Sequence, residues 1–186
     1  MELLTGIFSA FGLSASAGLN AYIPLLVIGV IDHYTDWITL EKPWDTLSNP
    51  WILILLGVLL IIEMLADKIP AVNHINDAIQ TVVRPIAGAV AFAASANIIT
   101  DVHPVLALAC GLLVAGAVHT GKSVVVRPAV TATTGGAANI PVSVAEDVAA
   151  TGVSILAIVV PVAVGIALII AFAFLISWWW KRSAKT

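Results

Sequence analysis

Long apolar runs alternate with short polar ones along this chain, and the apolar runs have the length of helices rather than strands. Leu3 to Ile31 carries no charge, but its Ser14-Ala15-Ser16-Ala17-Gly18 stretch and Pro24 predict a break near Gly18. An acidic loop with Asp32, Asp36, Glu41 and Asp45 follows, bearing Trp37 and Trp44. Asn49 to Leu65 reads as a second span. Between 69 and 84 the pattern changes. Val72, Ile75, Ile79 and Val82 share one helical face, while Asn73, Asp77, Thr81 and Arg84 share the opposite one. That predicts an amphipathic helix, re-entrant or interfacial, ending at Pro85.

Two further helices are expected over Pro85–Thr100 and Pro104–His119, joined by a turn with Asp101 and His103. Each is about 24 Å long at 1.5 Å per residue, short of a hydrocarbon core of about 30 Å. Residues 120–147 are small, polar and Gly-rich, and are expected to avoid lipid. Val148 to Trp180 is charge-free and ends in Trp178-Trp179-Trp180-Lys181-Arg182, an aromatic belt with a basic tail.

Composition turns these runs into a class. Of 186 residues, 60% are hydrophobic and 10% charged, against about 25% charged in a soluble domain; mean hydropathy is +1.06. A soluble enzyme and a disordered chain are excluded, and a net charge of −3 offers no basic field for nucleic acid. Cys110 is the only cysteine, which excludes an internal disulfide and a Cys-based metal site. No Lys/Arg region precedes the first apolar run, so a cleaved signal peptide is not expected. The expected fold is a single all-α polytopic membrane domain over 1–186, with five or six crossings and broken or re-entrant segments. Its expected location is a membrane.

Orientation adds one tension. The positive-inside rule puts Lys181, Arg182 and Lys185 in the cytoplasm and the 32–47 loop outside. Simple counting then places Lys68, Arg84, Lys122 and Arg127 inside too, although one clear span separates Arg127 from the tail. A broken crossing over 123–145 resolves this.

The halves 1–100 and 101–186 echo each other. Asn73, Asp77, Thr81 and Arg84 follow Ile69-Pro70 at i, i+4, i+8, i+11, and Ser143, Asp147, Thr151 and Ser154 follow Ile140-Pro141 at comparable offsets. Gly18, Asn20, Ile23 and Pro24 pair with Gly136, Asn139, Ile140 and Pro141, and Val82-Val83-Arg84-Pro85 with Val125-Val126-Arg127-Pro128. A duplicated unit with its site at the repeat interface is the expectation.

Ionisable residues in apolar runs carry the chemistry, because charge in a membrane is costly and retained for use. Glu63 and Asp67 share a face beside Lys68, and Asp77 and Arg84 are i, i+7. His119, Lys122 and Arg127 precede the Gly-rich stretch, with Asn139, Ser143, Glu146 and Asp147 beyond it. His74 and Asp77 alone do not make a metal site. Gly121-Lys122-Ser123 is not read as a nucleotide-binding loop, and no GxSxG elbow argues for hydrolysis. No cofactor is expected.

In these residues the chain resembles the bacterial membrane family catalogued as domain of unknown function 4126. The likeness rests on Gly18-Leu-Asn20-Ala-Tyr-Ile-Pro24 and on Glu63-x-x-Ala-Asp67-Lys68-Ile-Pro70, continuing to Asp77 and Arg84-Pro85. It extends to His119-x-x-Lys122 with Arg127, Asn139, Ser143 and Glu146-Asp147. The resemblance implies a multi-pass inner-membrane protein and brings no activity with it. From the residues, the leading expectation is a small transporter or channel for an ion or small solute, working as a homo-oligomer in the bilayer. Glu63, Asp67, Asp77 and Asp147 would handle protons or cations; Arg84, Lys122 and Arg127 would balance them; Asn20 and Asn139 would add neutral ligands. Two alternatives stand beside it: a scaffold or accessory subunit, and an enzyme on a lipid headgroup with His119 and Asp147 as acid and base.

Overall fold

The computed structural model describes residues 2–67, 70–99 and 102–183, with side chains in that set outside 2–4, 70–75, 77, 97–99, 162, 165, 175 and 178–183. Every regular element among them is helical. α1 (Glu2–Leu19) and α2 (Tyr22–Tyr34) are separated at Asn20-Ala21, two residues past the predicted break. α3 (Pro50–Ala66) opens with Asn49 accepting from the Trp51 N–H at 2.9 Å and with Pro50 at a position that needs no donor. α4 spans Pro70–Ile99 and α5 Pro104–Gly121. A π-helical turn, Lys122–Val126, leads into α6 (Arg127–Thr134), and α7 (Asn139–Val159) and α8 (Pro161–Ser183) complete the order.

Three of the expected breaks fall elsewhere. Pro85 does not end a helix: residues 70–99 form one 30-residue α4 with Pro85 inside it. Proline deletes one backbone donor, but α5 meets α4 on both sides of it, at Thr81 and Arg84 through His119 and at Gly88 through Gly111 and Ala115, and that contact holds the two sides in line. The short helix expected at Pro104–His119 continues through the π turn to Thr134, 31 residues in all. Residues 123–145 form no single continuous helix. They end one helix and begin the next, around a turn in which Gly135 and Gly136 take φ of 62° and 89°, a conformation glycine adopts without strain. The run from Val148 to Trp180 is also divided. α7 stops at Val159 and α8 starts at Pro161, since the residue before proline disfavours helical geometry.

α1 lies at the centre, against α4, α5, α7 and α8. Its buried positions are small or hydroxylic: Ala10, Ser14, Ala15, Ser16 and Ala17, with Leu13. Small side chains let helix backbones approach closely. The Ser14 hydroxyl donates to the Gly111 carbonyl of α5, and Ser16 to the Ala150 carbonyl of α7, both at 2.8 Å. The tightest crossing is α4 on α5. A Cβ on Gly88 would strike Ala115, and one on Gly111 would strike the Gly88 carbonyl.

Polarity is inverted relative to a soluble protein. Glu63, Gln80, Arg84 and Asn20 are buried, while Ile54, Leu55, Val58, Ile61 and Ile62 of α3 face outward. Ala78–Ala96, Pro104–Thr134 and Asn139–Val159 are each long and apolar enough to cross a membrane, and three shorter apolar helices stand beside them. The protein is thus helical and of membrane type.

Candidate functional site

The buried charges collect where α3, α4, the π turn and α7 meet the break between α1 and α2. Glu63 sits near the end of α3, and its Oε1 accepts from Arg84 Nη2 of α4 at 2.8 Å. Both side chains are 1% exposed. Arg84 Nη1 reaches His119 Nδ1 at 3.3 Å, and His119 Nε2 lies 3.2 Å from the Thr81 hydroxyl. A guanidinium only donates, so in this contact His119 Nδ1 is the accepting nitrogen.

Asp67, one turn beyond Glu63, is the hub. Its Oδ1 accepts from Asn76 Nδ2 at 2.8 Å; its Oδ2 accepts from the Ser143 hydroxyl at 2.9 Å and from Arg127 Nη2 at 3.3 Å. Arg84 Nη2 lies 4.0 Å from the same Oδ2. Two Arg-Pro dipeptides, far apart in sequence, thus bring their guanidinium groups to one carboxylate oxygen. Burial pushes this carboxyl up, but Arg127, the Ser143 hydroxyl, Arg84 and Lys122 together hold it below the ordinary aspartate value.

The π turn explains how two cations five residues apart serve one face. In an α-helix five residues turn about 500°, leaving side chains roughly 140° apart. Here the Arg127 N–H bonds to the Lys122 carbonyl five residues back, so the two stack. Pro128 favours the widening, because its ring would press on the Val124 carbonyl in a regular helix. Lys122 and Arg127 accordingly both approach Glu146 Oε2, the latter at 3.7 Å and the former at 2.6 Å.

Lys122 also closes the helix break. Its Nζ donates to the Leu19 carbonyl at the end of α1 at 3.1 Å, a cation placed on an otherwise unpaired helix C-terminus. On the other side of the break, Asn20 Oδ1 accepts from the Tyr22 and Ile23 N–H groups that open α2, and Asn20 Nδ2 donates to Asp147 Oδ1 at 2.9 Å. Asp147 forms no ion pair among the described residues. Among the described residues the group therefore holds four carboxylates (Glu63, Asp67, Glu146, Asp147) and three fixed cations (Arg84, Lys122, Arg127). Counted over the described residues, carboxylates exceed fixed cations by one.

Among the sequence candidates, Asn20, Glu63, Asp67, Arg84, His119, Lys122, Arg127, Ser143, Glu146 and Asp147 come together. Asn139 does not: at the start of α7 it exchanges hydrogen bonds with Thr131, away from the cluster. Lys68 lies outside the described residues, as do the side chains of His74 and Asp77. Three participants escaped the sequence reading: Asn76, Gln80 and Tyr22. The signal was available in the row Asn76, Gln80, Arg84 at i, i+4, i+8 along α4.

Gly116 to Ser123 do have the spacing GxxxxGK[ST], so sequence alone does not dismiss a phosphate loop there. The fold does. The run is helical throughout, its amides are engaged in the helix, and Lys122 is committed to Leu19 and Glu146. No group of three or more His, Cys, Asp or Glu among the described residues is arranged to hold a metal.

Residues 7–182 match the family model described as Domain of unknown function (DUF4126), and the chain belongs to that family. Neither the curated proteins nor the solved structures contain a match.

Proposed function

We propose that this member of the DUF4126 family is a small membrane transporter or channel for an ion or small solute, with the buried ionic cluster as its translocation site. The observation that carries the reading is a buried ionic group at a broken helix, in which the described residues supply four carboxylates and three fixed cations and Asp147 is held by the neutral Asn20. An uncompensated carboxylate at membrane depth is costly unless a proton or cation joins it. Helix breaks lined by such groups are how many transporters build sites. Asp147 takes the mobile cation, Asn20 orients it, and Arg84, Lys122 and Arg127 hold the remaining carboxylates.

The protein works in the inner (plasma) membrane through five or six crossings, with the basic tail after Trp180 cytoplasmic. A chain of this size closes its pathway as a homo-oligomer, and the outward apolar faces of α3 and α5 suit lipid or a second copy.

Proton and alkali-cation flux into proteoliposomes tests the reading, with wild type beside Asp147→Asn and Asp77→Asn. Asparagine at 147 keeps the hydrogen bond to Asn20 and removes the charge, so flux is lost while the fold remains. Normal flux in both variants refutes the assignment. A scaffold role has one observation in its favour, since Glu63 with Arg84 and Lys122 with Glu146 satisfy each other. It predicts that the variants change stability alone.

A further inference from the structure

At the edge of the cluster, three polar atoms on three fully buried side chains have no hydrogen-bond partner: Glu63 Oε2, Gln80 Oε1 and Arg84 Nε. None of these residues is more than 2% exposed. They belong to one locality. Arg84 is bonded to the other oxygen of Glu63, Gln80 precedes Arg84 by one turn on the same face of α4, and Tyr22 at the start of α2 interacts with both Gln80 and Glu63. An unmet buried polar atom costs about 1–3 kcal/mol, so three together indicate a guest.

Hydrogen-bond chemistry restricts what that guest is. Two orphans are acceptors and one is a donor. A metal cation or ammonium offers nothing to Arg84 Nε, and the guanidinium opposes its charge. An anion is refused by Glu63. Water serves all three, accepting from Nε and donating to Oε2 and Oε1, and a site of this kind normally holds an ordered water.

We propose that Glu63, Gln80, Arg84 and Tyr22 form a water-holding proton-loading site, with Glu63 Oε2 as the proton acceptor. In the loading step a protonated water gives up one O–H bond, a new O–H bond forms at Oε2, and neutral water stays behind on Arg84 Nε. The new hydroxyl donates toward Gln80 Oε1, directly or through that water. Arg84 remains on Oε1 throughout. Four other groups set the field at Glu63: Tyr22 from α2, Asp67 from α3, Arg84 from α4 and Lys122 from the π turn. The proposal rests on the transport reading for the claim that the loaded proton moves, and it narrows the transported species to H⁺.

Infrared difference spectra of the reconstituted full chain, recorded across a pH step, report carboxyl protonation directly. Acidification is expected to raise the carbonyl-stretch band of a protonated acid, absent in Glu63→Gln. In Gln80→Leu the ion pair with Arg84 is intact, so folding is preserved, and the same band is expected shifted toward weaker hydrogen bonding. A band unchanged by either substitution overturns the proposal. Proton flux measured on the same samples separates the two claims. Glu63 protonation without flux of any tested ion refutes the transport reading and keeps the site. Sodium or potassium flux that Gln80→Leu does not touch, with no Glu63 band, keeps transport and overturns the proton site.

Discussion

Replacing Arg84 by methionine should be among the most damaging single changes in this molecule. The guanidinium is 1% exposed and is the hydrogen-bonded cation of Glu63, itself 1% exposed at the side chain. Methionine fills similar space, so the loss is electrostatic rather than a cavity. Removing one partner of a buried pair costs about 3–5 kcal/mol, because the other charge stays buried without compensation; an exposed pair is worth about 0–1 kcal/mol. Asp67 contributes less to the damage, since Arg127 still bonds it at 3.3 Å. The predicted loss is roughly two to three and a half decades in the folded-to-unfolded ratio. Adding Glu63→Leu should restore most of it, because two apolar side chains replace two charges that no longer need each other. A residue of about 0.5–1.5 kcal/mol remains for the lost bond to His119. Reversible unfolding in mixed detergent micelles, followed by helicity, measures wild type, the single variant and the double variant. A single variant as stable as wild type refutes the burial argument. So does a double variant less stable than the single one.

Gly88→Ala should lower stability by about 1–3 kcal/mol through overpacking, since its Cβ meets Ala115 and faces the Gly111 carbonyl, whereas Gly57→Ala meets nothing within 4 Å and should be neutral; the two unfolding midpoints are compared directly. Asn139→Ala should stay within about 0.5 kcal/mol of wild type and leave flux unchanged, because the Asn139 side chain exchanges its hydrogen bonds with the exposed Thr131, and its backbone bond to Gly136 is kept in alanine. Flux lost in that variant would place Asn139 on the pathway after all.

The chain's own pattern determined a good deal. Charge-poor runs of helical length cannot satisfy their backbone in lipid except as helices, which is why α3 is legible from Asn49-Pro50 onward. The cluster's charged members were legible for a related reason: Glu63, Arg84 and Asp147 interrupt apolar sequence at a cost that only a partner or a function offsets. Pro161 announced the end of α7 in principle, yet Pro85 announced an end that never came. The difference lies in packing, because α4 is held on both sides of Pro85 by α5 and no local rule sees that contact.

Only the tertiary structure decided which charges share a site. Arg84 and Arg127 are 43 positions apart in sequence, and their meeting at Asp67 depends on the Gly88–Gly111 crossing and on a π turn that rotates Lys122 and Arg127 onto one face. Gln80 shows the same limit from the other side. In sequence it is an ordinary polar residue of an amphipathic helix, and its importance arises from burial, which removes water and leaves its oxygen in need of a partner. Residue type fixes what a group can donate, accept or ionise. Whether that capacity is spent on solvent or on a buried guest is set by helices packing close enough to exclude water.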